Sequence, residues 1–448
     1  MKKMTLLNSI KSYAAALFLI TGLSSTAFAQ DTASGSASED TANFSGTLQM
    51  LGVAEYLKDD YRSDTRLYLF QKQARLGLDG TQGGIDYAFL LQFGGEESPK
   101  NQAGNVNNAV LSLLDAYIDI PIVSSDLFGI RIGQFKVPFS REQLANEDYL
   151  QYADKSINTL GFNLGRDVGF ALHSKIGNVE GAAGIFTGGG IDIPQRYLPQ
   201  ELNIPMTVVR LGYNTLDKNI FSVKEFDPKK KGSGVAVYVS GMYEEDSLIG
   251  HSSVINSKQN DVSLFYNPKW NPFLSQKNAE GFLETGKLMQ GEADAAFQAD
   301  TGRLIITGGV EANYGKYENT FGKLSMYGGA AQVGFYIAPV QLALRYAVLY
   351  PSKEFGYYDS ATTTTYELGQ IDKKIQEINP ALNIFVNDHL SISMDLQIWL
   401  DVPVATEGGL GAYNLMTMPG QASVAKGATN DIDRQNAGTA RMKVQYIF

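Results

Sequence analysis

The stretch IRIGQFKVPFSREQLANEDYLQYADKSINTLGFNLGRDVGFALHSKI, residues 130–176, contains two strand patterns separated by a long polar excursion. In the second pattern, apolar side chains alternate with polar or small ones: Val168, Phe170, Leu172 and Ile176 against Asp167, Gly169, His173 and Lys175. A repeat of two residues is typical of a β-strand with one apolar face. The excursion, about residues 137–165, is far longer than a hairpin needs, which is typical of a functional loop or of disorder. Its aromatic and aliphatic residues predict packing against other parts of the protein: Phe139, Leu144, Tyr149, Leu150, Tyr152, Leu160 and Phe162.

Segments with the same alternation recur along most of the chain, at about ten residues each. The clearest is Ile85–Phe93, whose odd-numbered positions are all apolar. The segment Arg66–Asp79 predicts one face of Phe70, Ala74, Leu76 and Leu78 and an opposite face of Gln71, Gln73, Arg75 and Asp79. The other candidate strands are 44–56, 115–120, 130–133, 168–176, 179–187, 207–215, 234–243, 262–266, 304–314, 327–337, 340–350, 378–386, 392–400 and 439–448. Strands of this length suit a tilted crossing of a bilayer.

The connections between these segments differ in length in a regular way. Short turns alternate with long polar loops at 94–108, 188–205, 351–373 and 403–438, which is the asymmetry of outer-membrane barrels. Between residues 206 and 287, one of the three candidate strands must be short, outside the membrane or part of a neighbour. We predict an all-β fold, a transmembrane antiparallel β-barrel of about sixteen strands with an inward-folded constriction loop.

Composition agrees with one large unit of this kind. The 448 residues include 46 Gly, 24 Tyr and 23 Phe but no Cys, which excludes disulfides, thiol nucleophiles and thiolate metal sites. No run of about 20 apolar residues follows the N-terminus, so a helical membrane protein is excluded.

The N-terminus has the pattern of a secretory signal peptide. Lysines precede an apolar run at 13–23, and small residues end in Ala27-Phe28-Ala29, so we expect a signal peptide at 1–29. A polar stretch at 30–43 predicts a flexible leader, with the barrel at 44–448. Removing Lys2, Lys3 and Lys11 with the signal changes the formal charge from -10 to -13. A chain this acidic has no general basic field for nucleic acid.

The C-terminal segment 439–448 alternates and ends in an aromatic residue. Ala440, Met442, Val444, Tyr446 and Phe448 share one face. An alternating last strand that ends in Phe448 resembles the signal read by the bacterial barrel assembly machinery. That machinery and outer-membrane lipid are therefore expected partners.

A closed barrel of sixteen strands predicts a pore. In lipid, only closure satisfies all the backbone polar groups of a sheet. A barrel of this size is too wide for side chains to fill, so it keeps an aqueous channel. The segment 137–165 is the candidate that narrows it.

Four motifs resemble the phosphate-selective porin O/P family: DAYIDI at 115–120, GQFKVPFS at 133–140, GRDVGFALHSKIG at 165–177 and INPALNIFVNDHLSISMDL at 378–396. The resemblance implies a homotrimer of sixteen-stranded channels, a third external loop that bends inward, and basic luminal side chains for anions such as phosphate. It also implies that Lys136, at the strand-to-loop junction, and Arg166, before Asp167, belong to the anion path.

Strand periodicity adds six cations on faces predicted to be luminal: Arg75, Arg131, Arg210, Arg345, Arg441 and Lys443. Cationic groups along a pore lower the barrier for anions. Each could instead pair with an acidic neighbour across the lumen. The segment 138–165 is itself net acidic, which also allows a general or weakly selective porin.

Other chemistry has little support in the sequence. His173, His251 and His389 lie far apart and lack metal-ligand spacing, so no metal and no cofactor is expected. His173 is the single base that a barrel-embedded hydrolase could use, and nothing identifies a nucleophile for it. A structural or adhesive barrel with a closed lumen is the remaining alternative to a porin.

Overall fold

A computed structural model of the protein describes residues 40–58, 63–93, 111–123, 127–188, 205–245, 265, 273, 286–352, 357–359, 364–366, 374–405 and 432–448. The signal peptide predicted at 1–29, most of the leader, His251 and most of the long loops named above lie outside these residues. None of the described helices is long and apolar enough to cross a membrane.

Sixteen antiparallel strands form a closed barrel, in which each strand pairs with its neighbours and the last strand pairs with the first. This confirms the predicted fold class. The barrel strands are β1 Thr41–Lys58, β2 Ser63–Gln82, β3 Ile85–Phe93, β4 Leu111–Val123, β5 Phe128–Lys136, β6 Arg166–Ile176, β7 Val179–Phe186, β8 Met206–Asn214, β9 Gly234–Glu245, β10 Lys287–Asp300, β11 Ile305–Asn319, β12 Gly322–Ile337, β13 Val340–Pro351, β16 Ile375–Phe385, β17 Leu390–Ala405 and β18 Ile432–Ile447. A separate two-stranded sheet pairs β14 Tyr357–Asp359 with β15 Thr364–Tyr366.

Three short helices interrupt the chain between β5 and β6. They are α1 Arg141–Leu144, a 3-10 helix at Glu147–Tyr149, and α2 Ile157–Phe162.

The two faces of the barrel wall differ in polarity, as the strand alternation requires. On β13, Leu342 and Leu344 are exposed on the outside, whereas Gln341 and Arg345 are buried on the inside. An apolar outer band suits lipid, and the polar inner face holds the interior contacts of the barrel.

Bulges change which side chains face inward on two strands. The pairing of β1 with β2 shifts between Gln49 and Met50, so Lys72 of β2 is an extra residue in the ladder. The expected faces of Phe70 and Gln71 are therefore wrong: Phe70 packs on the inner cluster with Leu51, and Gln71 points outward. A second shift, between Leu90 and Leu91 of β3, has the same effect on β4.

One strand of the ambiguous region differs from the prediction. β10, Lys287–Asp300, was not recognised, because its outer face is mostly Gly and Ala rather than large apolar residues. Of the candidate strand 262–266 only Phe265 is described, and Phe265 lies in none of the barrel strands. The barrel therefore has the predicted number of sixteen strands, and β10 is one that was not predicted.

Several strand ends lie beyond their predicted positions. β1 begins at Thr41, three residues before Phe44, and β18 begins at Ile432. β4 continues through Pro121, which pairs with Gly129.

Gly133 on β5 has a backbone conformation that requires glycine. Its φ is 134°, and a Cβ there would lie 2.2 Å from the carbonyl oxygen of Ala116. Gly133→Ala should therefore destabilise the barrel by about 1–3 kcal/mol from the strained φ alone. Gly241→Ala is the matched control, because a Cβ there meets nothing within 4 Å. Thermal unfolding by circular dichroism should show a lower midpoint for the first variant, and equal midpoints would contradict the assignment.

Candidate functional site

Residues 137–165, here called the constriction segment, lie inside the barrel. Thr47 on β1 donates from Oγ1 to the carboxylate of Asp148 (2.9 Å). On another wall, Asn383 of β16 donates from Nδ2 to the carbonyl of Gln151 (2.9 Å). The buried apolar side chains of the segment include Val137, Phe139, Leu144, Tyr152, Ile157 and Phe162. The segment is thus bound to the barrel wall at β1 and at β16.

Side-chain caps set the local shape of this segment. Ser140 Oγ accepts from the backbone N–H of Gln143 (3.3 Å) at the start of α1, and Ser156 Oγ accepts from Thr159 N–H (3.3 Å) at the start of α2. Asn146 does the same for the 3-10 helix. Such caps satisfy N–H groups that a helix start leaves free, so the turns are defined by local sequence.

Arg345 on β13 is a central anchor of the constriction segment. Its guanidinium contacts Glu142 of the segment (3.0 Å) and Glu377 of β16 (2.8 Å), and it lies 4.3 Å from the ring centroid of Tyr152. Arg345 and Glu377 are fully buried. A buried charge of this kind is stable only with its partners in place.

Arg441 and Lys443 on β18 anchor the middle of the segment. Arg441 forms a two-pronged pair with Asp395 (2.7 Å for both contacts), and Asp395 also accepts from the backbone N–H of Ala153 (2.9 Å). Lys443 Nζ donates to the carbonyl of Tyr152 (3.2 Å). Both cations therefore bind the segment, one of them through a carboxylate.

Glu147 of the segment faces the cations of β2. Arg75 lies 3.3 Å and Lys155 3.8 Å from its carboxylate. Burial alone would raise the pKa of Glu147, but Arg75, Lys155 and Lys72 lower it below its ordinary value. The carboxylate is therefore ionised at neutral pH and bridges the segment to the wall.

Lys72 is a luminal residue that the sequence did not reveal. Its Nζ donates to the carbonyl of Ala153 (2.6 Å) and lies 3.2 Å from the Asp154 carboxylate. Strict alternation places Lys72 outside, and the β2 bulge turns it inward. A charged residue on an expected lipid face was the one available signal for this bulge.

Arg210 on β8 binds carboxylates two strands away on the same part of the barrel wall. Its guanidinium contacts Glu292 (3.1 Å) and Asp294 (2.6 Å) on β10 and also donates to the carbonyl of Phe139. All three charged groups are fully buried. Arg210 therefore joins the wall to the start of the constriction segment.

Arg131 on β5 lies between two aromatic rings. The rings of Tyr117 and Phe221 are 4.2 Å and 3.9 Å from its guanidinium carbon. Arg131 also donates twice to Asp119 (2.9 and 2.8 Å), whose other oxygen contacts His173 Nε2 at 2.7 Å. The guanidinium is held in one orientation by the two rings and the Asp119 carboxylate.

Arg166 and Lys136 lie where β5 and β6 meet the constriction segment. Arg166 contacts the Asp115 carboxylate (3.0 Å). Lys136 Nζ donates to the carbonyls of Leu144 (3.2 Å) and Ala145 (2.7 Å). Among the described residues, no carboxylate forms a salt bridge with Lys136.

A cavity of about 620 Å³ opens between this end of the segment and the walls of β1 to β5. Five cations line it: Arg131, Lys136, Arg166, Lys218 and Lys224. Three carboxylates line it as well: Asp79, Asp86 and Asp115. The charges of the lining residues therefore sum to +2. Asp119 and Asp227, which pair with Arg131 and Lys224, are not part of the lining.

The structure divides the eight cations predicted to line a pore into two groups. Three of them line the cavity: Arg131, Lys136 and Arg166. The other five contact carboxylates or carbonyls at the wall and the constriction segment: Arg75, Arg210, Arg345, Arg441 and Lys443. Two acidic residues of the segment take part in these contacts: Glu142 pairs with Arg345, and Glu147 pairs with Arg75.

A closed barrel of sixteen strands, an apolar outside and an infolded segment beside a charged cavity define the class of this protein, an outer-membrane porin. The sequence model described as "Phosphate-selective porin O and P" matches residues 50–195. Over those residues the chain is similar to this family, in agreement with the resemblance found in the motifs. No curated protein matches the sequence.

Solved structures support the same fold. An anion-selective porin from Comamonas acidovorans is 12% identical and has a TM-score of 0.50, with 92% of this chain and 100% of that chain covered. OprB of Pseudomonas putida, in a high-pH structure, is also 12% identical with a TM-score of 0.50, and the covered shares are 91% and 94%. At this identity the likeness concerns the fold.

The family model that matches residues 50–195 describes porins, which are channels and not enzymes. His173, the base considered for a hydrolase, is instead a neighbour of Asp119 and packs edge-on against Phe221. Within the described ranges, no cluster of His, Asp and Glu has a geometry for a metal ion.

Proposed function

We propose that this porin lets small hydrophilic solutes diffuse passively across the outer membrane and that it prefers small inorganic anions such as phosphate. The observation that carries the proposal is the cavity beside the constriction segment, with five cations against three carboxylates. A net positive wall attracts anions and repels cations along a narrow water-filled path.

The acidic composition of the constriction segment does not oppose this preference. Glu142, Glu147 and Asp154 each contact a cation on a barrel strand. Asp148 accepts from Thr47. These carboxylates face the walls, so the charges that remain for a passing ion are those of the cavity.

The choice of phosphate among anions follows the family description and the motif resemblance. The same resemblance supports a homotrimer. The proposal further includes export by a signal peptide at 1–29 and recognition of Phe448 by the barrel assembly machinery. The cavity lies at the short-turn end of the barrel, next to the turn between β2 and β3. Short turns of outer-membrane barrels face the periplasm, so the cavity faces the periplasm as well.

Conductance of the purified wild-type protein in planar bilayers tests the channel. Steady open-channel current is expected, and silence at every salt concentration would support an adhesive barrel with a closed lumen instead. The zero-current potential in a potassium chloride gradient then tests selectivity. We expect a cation-to-anion permeability ratio below one. A ratio near one would support the weakly selective porin, and a cation-selective wild type would defeat the anion preference while leaving the porin assignment standing.

Addition of phosphate at a constant chloride concentration, in the same bilayer, tests the substrate. A phosphate-preferring channel should show chloride current that falls as phosphate is added, because bound phosphate occupies the path. No inhibition across the tested concentrations would remove phosphate from the proposal.

A further inference from the structure

Residues 215–233, here called the crossbar, form an unusual connection at the short-turn end of the barrel. The crossbar joins β8 to β9 over nineteen positions, whereas β6 and β7 are joined at 177–178 and β12 and β13 at 338–339. A hairpin connection needs two to five residues, so this length calls for another explanation.

The crossbar extends from one wall of the barrel toward the opposite one. Phe221 packs on Phe135 of β5, with ring centroids 6.0 Å apart. Five residues later, Phe226 packs on Tyr336 of β12 (5.0 Å) and Phe385 of β16 (5.6 Å). The chain between these anchors therefore spans the interior.

The crossbar is bonded to the constriction segment by backbone contacts. Asn146 N–H donates to the carbonyl of Val223 (3.1 Å), and Phe226 N–H donates to the carbonyl of Tyr149 (3.1 Å). Val223 is buried among apolar side chains of the segment. Backbone pairing of this kind gives the two segments one common geometry.

Two ion pairs and a ring contact hold the crossbar further. Arg141 of the constriction segment lies 2.7 Å from the Asp217 carboxylate. Lys224 lies 3.8 Å from the ring centroid of Tyr149 and 2.8 Å from Asp227. Burial alone would lower the pKa of Lys224, but its contacts with Asp227 and Tyr149 raise it, so the side chain is charged at neutral pH.

One side of the crossbar faces the cavity. Lys218, Asn219, Ser222 and Lys224 line it, opposite the walls of β1 to β5. Lys229 belongs to the same crossbar but lies 3.8 Å from Asp388 in the β16–β17 turn, away from the cavity. Two of the five cavity cations therefore come from the crossbar and not from a barrel strand.

We propose that the crossbar is the second wall of the conducting path and that Lys218 and Lys224 help to determine its preference for anions. This inference rests on the proposed function and names residues for it that lie outside the family motifs. The constriction segment and the crossbar together confine ions to the side of the lumen formed by β1 to β5.

Charge reversal on the two sides of the crossbar tests the proposal. The double variant Lys218→Glu, Lys224→Glu should raise the cation-to-anion permeability ratio at least threefold. The matched control Lys229→Glu, Lys231→Glu makes the same change of net charge on crossbar residues that do not line the cavity. It should leave the ratio at the wild-type value. An equal shift in both variants, or no shift in the first, would overturn the proposal.

Cysteine labelling is a second test, in which the charge is introduced only after the protein has folded. The protein has no Cys, so Ser222→Cys carries a single thiol on the cavity side. Sulfonatoethyl methanethiosulfonate, an anionic thiol reagent, should at least halve the current of this variant and leave the wild type unchanged. Unchanged current after labelling confirmed by mass spectrometry would count against the crossbar.

These experiments distinguish an error in the crossbar proposal from an error in the proposed function. A wild-type channel that conducts anions, with crossbar variants that behave like it, overturns the crossbar alone. A wild type that prefers cations overturns the anion preference itself.

Discussion

Lys136→Glu is expected to move the cation-to-anion permeability ratio of the channel from below one to above one. Lys136 lines the cavity where the constriction segment begins, and none of the described carboxylates forms a salt bridge with it. Its partners are the two carbonyls of Leu144 and Ala145, so no described carboxylate neutralises it. The Lys136→Glu reversal changes the summed charge of the residues that line the cavity from +2 to 0. It also places a carboxylate where the constriction segment begins.

The size of this effect follows from simple electrostatics. Two unit charges about 4 Å apart in water interact with about 1 kcal/mol, so a reversal changes the energy of a nearby ion by about 2 kcal/mol. Because about 1.4 kcal/mol corresponds to a factor of ten, we expect a change of about thirtyfold before screening by salt.

The measurement is the zero-current potential of wild type and variant in the same salt gradient. Lys136→Gln should shift it in the same direction by less, because it removes one charge where the reversal changes two. Lys316→Glu is a control for net charge, since Lys316 lies outside the cavity lining and pairs with exposed Glu318. A Lys136→Glu channel as anion-selective as the wild type would exclude Lys136 from the path. Arg131→Glu should act in the same direction, although it also leaves Asp119 without its main partner.

Arg345→Met should have the largest effect on stability among single changes in the lumen. The variant leaves Glu142 and Glu377 buried without the guanidinium that neutralises both of them. Breaking a buried ion pair in this way costs about 3–5 kcal/mol, because an uncompensated charge stays inside. The constriction segment also loses an anchor near its middle.

Two measurements follow from this change. The midpoint of thermal unfolding should fall clearly below that of the wild type, and single-channel current should become larger or noisier as the segment loosens. Lys316→Met breaks an exposed pair and should leave both measurements unchanged. The double variant Arg345→Met, Glu377→Gln removes one of the stranded charges and should recover part of the lost stability. An Arg345→Met protein as stable and as quiet as the wild type would show that the segment does not depend on this pair.

The fold was predictable from sequence because alternation is a direct consequence of strand geometry. A strand whose outer face carries large apolar residues, such as Ile85–Phe93, has the same bounds in prediction and structure. β10 was missed because Ala and Gly dominate its outer face, and a period of two is visible only when the two faces differ in polarity.

The candidate site was predictable in part, and its gaps have physical causes. Parity placed Arg131 and Arg345 on inner faces, since both follow unbroken alternation. Lys72 was missed because an extra residue in one strand reverses the parity beyond it. The sequence also could not separate cations that line the cavity from cations that hold the constriction segment, since that depends on which partner lies across the lumen.

The crossbar lay beyond sequence reasoning for a different reason. Its residues read as an ordinary polar turn, with the basic run Lys229 to Lys231 as its most visible feature. The side chains that matter, Phe221 and Phe226, are single aromatics whose partners are distant in the chain. No local pattern reports such contacts.

The charges that fasten the constriction segment and most of the charges that face the cavity are different residues. Substitutions at Lys218 can therefore retune ionic preference without loosening the scaffold. Substitutions at Arg345 cannot, and those at Lys136 also remove two hydrogen bonds to the constriction segment. A lineage of such porins could adapt to new nutrients through a handful of tolerated exchanges, and an engineer could vary the same few positions with little risk to assembly.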